Sequence, residues 1–208
     1  LYIDPDIVVF NDLCPLDELL NEHSILLTPH LLDYSDNLNA INENEIDGTM
    51  RHGIFNLGFL AVNPTRPEGK RFSTWWAHRL LNFCYADYDR GLFTDQKWCD
   101  HAPALFEDLY IIRDPGYNVA SWNINKRTLS LSESGQLLIN DRYPLRFYHF
   151  TGYDSGAGDF MTQRYNANNP LVDEIWTWYG RTLKRMSQDK WGSQACYYNF
   201  YSNGIKIS

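Results

Sequence analysis

Two hydrophobic periods alternate along the chain, and that alternation limits its fold class more than any other feature. Apolar runs of strand length occur at Ser24 to Thr28, Ile54 to Val62, Leu109 to Ile112 and Leu145 to Phe150. Between them lie stretches whose apolar residues recur at threes and fours, the helical signature. Glu68 to Tyr85 carries Phe72, Trp75, Trp76, Leu80 and Phe83 in that spacing, and Leu171 to Met186 carries Ile175, Trp178, Tyr179 and Leu183. Pro15 to His23 suits a short helix with Pro15 in its first turn. Thr94 to His101 suits another, capped by Thr94. Leu129 to Leu131 and Gln136 to Ile139 flank Ser-Glu-Ser-Gly and predict a hairpin. Asn37 to Asp47 is polar and Asn-rich, a loop or a marginal helix. Strands intermixed with helices place the chain in the α/β or mixed α/β class.

At 208 residues this is one ordinary domain or slightly more, long enough for a sizeable core. The net charge of −8 argues against nucleic acid as a partner, which calls for a basic stripe, and against an anionic membrane surface. A nucleotide diphosphate stays compatible, because a bound divalent cation inverts the local field. Cys14, Cys84, Cys99 and Cys196 are widely spaced with no CxxC pair, the pattern of free thiols in a reducing compartment, hence a cytoplasmic protein. No apolar run approaches a membrane span. The 7 Trp, 14 Tyr and 11 Phe are the unusual part of the composition. Aromatic faces stack on sugar rings, and they also fill cores. The chain opens on Leu1 inside a strand-like run and closes on an unfinished turn and strand, Asn203-Gly204-Ile205-Lys206-Ile207-Ser208, which predicts a segment of a longer protein.

Four short motifs carry chemistry. In the first, Leu1 to Phe10, two apolar runs flank Asp4-Pro5-Asp6. Pro5 cannot sit inside a central strand, so the two acids belong at a strand end or bulge. Carboxylates two residues apart can point at one ion, and Mg²⁺ and Mn²⁺ take hard oxygen ligands; Asp-Pro-Asp is also an ordinary turn. The second, Phe55-Asn56-Leu57-Gly58-Phe59, has a glycine inside a strand, where a backbone approaches a ligand or simply packs closely. The third, Thr94-Asp95-Gln96-Lys97-Trp98, opens a helix; Asp95 and Gln96 can reach sugar hydroxyls there, or Asp95 merely complements the helix dipole. In the fourth, His149-Phe150-Thr151-Gly152, an imidazole ends an apolar strand just before a glycine, either a metal ligand or a half-buried hydrogen-bonded histidine.

Taken in order, Asp-x-Asp, Phe-Asn-x-Gly, Asp-Gln and His-Phe-x-Gly resemble the retaining GT-A glycosyltransferases similar to glycosyltransferase family 8. Leu1 to Gly152 looks more closely like bacterial glycosyltransferases of surface-polysaccharide clusters, through Tyr2-Ile3-Asp4-Pro5-Asp6-Ile7-Val8-Val9, Leu27-Thr28-Pro29-His30, Asp95-Gln96-Lys97-Trp98 and Gly116-Tyr117-Asn118-Val119-Ala120. The resemblance implies a partial GT-A, Rossmann-like mixed sheet with flanking helices. Residues 1–165 would be its metal- and acceptor-side part and 166–208 a helical extension, the nucleotide-binding half that precedes Asp-x-Asp being absent. It implies a divalent metal, Mn²⁺ or Mg²⁺, on Asp4, Asp6 and His149. It implies donor-sugar contacts at Asn56, Gly58 and Gly152, and Asp95 and Gln96 beside the reacting carbon. The partners it implies are a nucleotide-sugar donor and a glycan or other hydroxyl acceptor. Where family 8 continues with Lys-Pro-Trp to hold phosphate, this chain has Tyr153-Asp154-Ser155-Gly156. Arg146 and Arg164 are the candidate substitutes. Without the preceding half, sugar nucleotide should bind poorly. His30, Asn118 and Trp122-Asn123 are candidates for the acceptor side.

Two alternatives belong to other classes. Asp4 and Asp6 also mimic the strand-borne nucleophile and acid/base of a haloacid-dehalogenase-type phosphatase, with Thr28 as its second motif. Such an enzyme needs a lysine and a late acidic pair, which Gly158-Asp159 matches poorly. A carbohydrate-binding module without catalysis would use the aromatics and would not lose binding when Asp6 becomes Ala.

Overall fold

The computed structural model describes residues 1–166, 168–194 and 197–207, the side chain of Tyr197 excepted. The chain divides into two compact units, Leu1–Asn169 and Pro170–Ser208. In the first unit the elements run β1 (Tyr2–Ile3), β2 (Ile7–Val9), α1 (Pro15–Glu22), β3 (Ile25–Pro29), α2 (Leu38–Ala40), β4 (Phe55–Val62), α3 (Pro67–Phe83), β5 (Ala86–Asp87), β6 (Leu92–Phe93), α4 (Ala102–Leu105), β7 (Leu109–Ile111), β8 (Val119–Ala120), β9 (Leu129–Leu131), β10 (Leu137–Ile139), β11 (Tyr143–Pro144), β12 (Phe147–His149) and α5 (Ala157–Tyr165). The second unit holds α6 (Pro170–Arg185) and α7 (Gln188–Trp191). The class is mixed α/β, as the interleaved periods predict.

Four strands form a mixed sheet in the order β1-β4-β3-β7, with β3 antiparallel to β4 and parallel to β7. All five residues of β3 are buried, so its side chains feed cores on both faces. Ile25 and Leu27 pack with Phe72, Phe106 and Cys99, while Leu26 packs with Leu16, Phe59 and Phe147. Helix α3 covers the first face through Phe72, which is wholly buried, with Trp75 and Trp76 against the same cluster. Burying one such aromatic contributes roughly 3 kcal/mol. Helix α1, started by Pro15, covers the second face through Leu16, Leu19 and Leu20.

The site is positioned by a break in β4. Ile25, Leu26 and Leu27 pair with Val62, Ala61 and Leu60, but Thr28 pairs with Asn56, so the stretch from Leu57 to Phe59 bulges out of register. Across that bulge the alternation of faces reverses: Phe55 and Leu57 belong to the α3 side, Phe59 and Ala61 to the α1 side. Bulges of this kind re-aim side chains and recur beside functional sites.

A second, three-stranded sheet runs β2-β12-β8, with β12 antiparallel to β2 and parallel to β8. The chain passes from β1, in the first sheet, to β2, in the second, through Asp4-Pro5-Asp6. Pro5 therefore stands at a strand junction, as its missing N–H requires. Strands β9, β10 and β11 make an antiparallel meander that contains the expected hairpin.

Several local expectations are corrected. Asn37 to Asp47 is ordered as α2 continuing into a π-helical stretch, Ile41–Met50, with the Asn37 side chain accepting from the amides of Asn39 and Ala40 as the cap. Thr94 caps nothing: it sits at φ 43, the following turn is a 3₁₀ helix, Gln96–His101, and its hydroxyl donates to Asp95 Oδ1 instead. In α6 the buried residues are Val172, Ile175, Trp176 and Tyr179, while Trp178 is 44% exposed, so Trp176 takes the buried position expected of Trp178. Cys14 and Cys84 are exposed free thiols and Cys99 a buried one; Cys196 lies outside the described residues. Among the described residues no helix is long and apolar enough to cross a membrane.

Candidate metal centre

The junction between the sheets brings Asp4, Asp6 and His149 together. Asp4 N–H donates to Gly58 O at 2.8 Å, tying the junction to the β4 bulge, and Phe150 N–H donates to Asp6 O at 2.9 Å, tying it to the end of β12. His149 closes β12 opposite Ile7, and its ring is 4% exposed. Its Nε2 lies 3.1 Å from Asp6 Oδ1 and 3.9 Å from Asp4 Oδ2. One ligand atom from each of the three residues lies within 4.8 Å of the other two. An octahedral Mg²⁺ at about 2.1 Å from its ligands sets neighbouring ligand atoms about 3 Å apart and opposite ones about 4 Å apart. The two measured separations from His149 Nε2, 3.1 and 3.9 Å, fall in that range.

The hydrogen-bond network decides which imidazole nitrogen faces the acids. Asn56 Oδ1 lies 3.2 Å from His149 Nδ1, and an amide oxygen only accepts, so Nδ1 carries the proton. Nε2 then presents its lone pair to two carboxylates. Asn56 Nδ2 donates in turn to His30 Nε2 at 3.3 Å. His30 is thereby held neutral, with burial pulling its pKa down to about 4. Trp122 sets its edge against both rings, 5.4 Å from His149 and 5.5 Å from His30. Three electron-pair donors with no proton among them call for a cation, either a metal or a proton taken by Nε2. One nitrogen and two carboxylate oxygens suit Mn²⁺ and Mg²⁺, and the Nδ1–H to Asn56 bond is the kind of outer contact that fixes a ligating histidine. The group fits the residues present.

Gly58 is where the bulge meets this ring. A Cβ there would lie 2.5 Å from His149 Cε1 and 2.9 Å from Asn56 Oδ1. The glycine is required so that the imidazole can lie flat against the strand. When Nε2 takes up a proton in place of a metal, Asp6 is held below the ordinary carboxylate range: burial pushes it up, but the hydrogen bond and charge of the protonated His149 outweigh that. Tyr2 donates its hydroxyl to Asp4 Oδ1 at 2.6 Å, which pushes the phenol up to about 12.

The three ligands open onto a cleft of about 690 Å³. Asp95, Gln96, Asn56 and Gly58 also line it, so the second and third motifs converge on the first and fourth. The Gln96 amide is committed to backbone, donating to His52 O at 3.0 Å and accepting from Leu57 N at 3.4 Å. Gly152 is not among the lining residues; Thr151 is, and Gly152 makes the turn behind it at φ 71. His30 and Trp122 line the cleft, whereas Asn118 is buried with its amide donating to Pro29 O.

Sequence reasoning missed the far wall. Glu43 and Asp47, from the π-helical stretch, face the cleft; the absence of helical periodicity there hid an element that the Asn37 cap announces. Among the described residues the cleft-lining acids are Asp4, Asp6, Glu43, Asp47 and Asp95, and no lysine or arginine lines it. Of the two arginines considered for phosphate, Arg146 donates to Asp12 O and lies over Tyr117, and Arg164 pairs with Glu43. Neither lines the cleft.

The chain is similar to two proteins of Bacillus subtilis (strain 168). The uncharacterized protein YfnF is 31% identical over 191 residues, which is 90% of this chain and 60% of YfnF. The uncharacterized protein YfnD is 31% identical over 106 residues, 50% of this chain and 33% of YfnD. The chain thus spans less than two thirds of each relative it matches. No family model and no solved structure matches it.

Proposed function

We propose that this chain is the metal- and sugar-side part of a GT-A-type glycosyltransferase, transferring a sugar from a nucleotide-diphosphate donor to a hydroxyl of a glycan acceptor in the cytoplasm. The observation that carries this is the convergence of Asp4, Asp6 and His149, from opposite ends of the first unit, on one wall of a cleft that Asp95 also lines. Asp4, Asp6 and His149 would hold Mn²⁺ or Mg²⁺, which supplies charge neutralisation for the departing diphosphate. With five carboxylates and, among the described residues, no lysine or arginine on its walls, the cleft has no permanently cationic side chain to offset a diphosphate's charge, so the proposal is metal-dependent by electrostatics.

The chain's own residues have separable tasks. Asn56 and Gly58 hold the His149 ring so that its Nε2 would face the ion alongside Asp4 and Asp6. The Asp95 carboxylate faces the positive charge that develops on the sugar as the bond to phosphate stretches. Gln96 is a positioning residue, bridging Leu57 and His52 so that the Asp95 turn stays against the β4 bulge. Retention of configuration follows from the family 8 resemblance alone. The phosphatase alternative requires a lysine beside the acids, and among the described residues none lines the cleft.

The test has two readouts. Mn²⁺ titration followed by electron paramagnetic resonance should show one saturable site in the chain, lost in Asp6→Ala and His149→Ala. A panel of sugar nucleotides offered with Mn²⁺ to the full-length protein should release nucleoside diphosphate, and Asp6→Ala should abolish the release. Carbohydrate binding that persists in Asp6→Ala, with no saturable Mn²⁺ site, would instead identify a non-catalytic binding module.

A further inference from the structure

A second cavity, of about 290 Å³, lies across one strap from the cleft. Leu31 lines both; Trp122 lines the cleft and Asn123 the second cavity, and both donate to the His30 carbonyl, at 3.2 and 3.1 Å. The second cavity has the opposite electrostatic character. Arg113, Lys126 and Arg127 line it, against the single acid Asp33.

Arg127 is the unusual member. Its side chain sits in a residue only 3% exposed, yet among the described residues no carboxylate pairs with it. Nη1 donates to Pro115 O at 3.1 Å and to Tyr117 O at 2.7 Å, which uses that nitrogen fully. Among the described residues the Nε and Nη2 N–H groups have no protein partner, and neither atom is fully enclosed. These three remaining hydrogens form the edge of the guanidinium that grips a carboxylate or phosphate with two parallel bonds. Burial pulls the group down to about 10, still charged at neutral pH. A buried cation with no counter-ion is costly to the fold unless an anion reaches it. Asp33 and Asp114 act on it only at a distance.

We propose that this second cavity is an oxyanion-binding site for a ligand bearing a carboxylate or phosphate group, with Arg127 as the bidentate anchor and Arg113 and Lys126 as the outer cations that draw the anion in. The site stands on its own geometry and does not depend on the transfer activity proposed for the cleft. It gives a chain of net charge −8 a place for an anionic ligand away from its acidic cleft.

The experiment titrates the chain with inorganic phosphate and, separately, with glucuronate, in the presence of EDTA so that no metal retains either ligand. The readout is the NMR backbone amide signals of Asn123 and Asn125, which line the cavity and persist in every variant, joined in the wild type by the Nε–Hε signal of Arg127. A saturable shift with phosphate alone assigns the site to phosphate-bearing ligands, and one with glucuronate alone or more tightly assigns it to acidic sugars. Arg127→Lys should weaken binding about 10-fold by losing the two-pronged grip. Because Arg127 also holds two backbone carbonyls, that variant can fail to fold; the Arg113→Gln, Lys126→Gln double variant changes only exposed side chains and should weaken binding roughly 3-fold. No saturable shift with either anion, or binding unchanged in the double variant, would overturn the proposal.

Discussion

Asn56 stands between two histidines, its amide oxygen 3.2 Å from His149 Nδ1 and its amide nitrogen 3.3 Å from His30 Nε2. One planar amide, with one acceptor and one donor, thereby sets the tautomer of both rings. The lone pair of His149 Nε2 faces Asp4 and Asp6 because Asn56 fixes the other nitrogen as the donor.

Asn56→Leu, which keeps the volume and removes the acceptor, should weaken Mn²⁺ binding about 10- to 100-fold, the usual cost of losing an outer contact to a ligating histidine. Asn56→Asp keeps an acceptor for Nδ1–H and should retain most of the affinity. Titration by electron paramagnetic resonance distinguishes them; a leucine variant that binds like the wild type would show that Asn56 does not orient His149.

Gly58→Ala should be worse for the site than for the fold. The added methyl would sit 2.5 Å from His149 Cε1 and 2.8 Å from Nδ1, so the ring must turn away. Overpacking of this kind costs roughly 1–3 kcal/mol. Urea denaturation should give a lower midpoint with an unchanged slope, and Mn²⁺ affinity should fall by more than the stability loss accounts for. A variant with full metal affinity would mean that the ring does not lie against the strand.

Stability should fall between pH 6.5 and about 4 through His30. Its folded pKa of about 4 lies below the unfolded value near 6.5, so in that window the unfolded chain binds a proton that the folded chain refuses. Stability is therefore complete above the window and is lost as pH falls through it. The loss should be about 2 kcal/mol, less than full enclosure would cause, because the ring keeps partial exposure to the cleft. Chemical denaturation across this pH range should show a shallower decline in His30→Gln; equal declines would assign the titration to other groups.

The thiols should separate by burial. Cys99 is wholly buried beside Ile25 and Phe72, and burial pushes its thiol far above the ordinary range. Cys14 and Cys84 are exposed, though Asp12 raises the first and partial burial the second. Peptide-mapped alkylation of the native protein should label Cys14 and Cys84 slowly and Cys99 only after unfolding. Native labelling of Cys99 at the rate of Cys84 would contradict the packing under α3.

Much of the fold was legible where local rules dominate. The helical spacing of Phe72, Trp75 and Trp76 announces α3, Pro15 announces the start of α1, and Pro5 marks the strand end where the two acids stand. The π-helical stretch Ile41–Met50 was not legible, because it buries no apolar stripe and its signal is one capping asparagine. Trp176 and Trp178 differ by two positions, and only packing selects which of them faces inward.

By itself the sequence determined which residues are able to bind a cation and the class of elements that carries them, because ligand chemistry and the periods of helix and strand are properties of side chains and near neighbours. Tertiary structure alone decided that His149 reaches Asp4 and Asp6, that the β4 bulge turns Asn56 and Gly58 onto its ring, that among the described residues no lysine or arginine lines the cleft, and that Arg127 is buried beside a second cavity with no carboxylate partner. Each of those depends on strand register and on packing across two sheet faces, which are settled by contacts between residues far apart in the chain and leave no local trace in the order of amino acids.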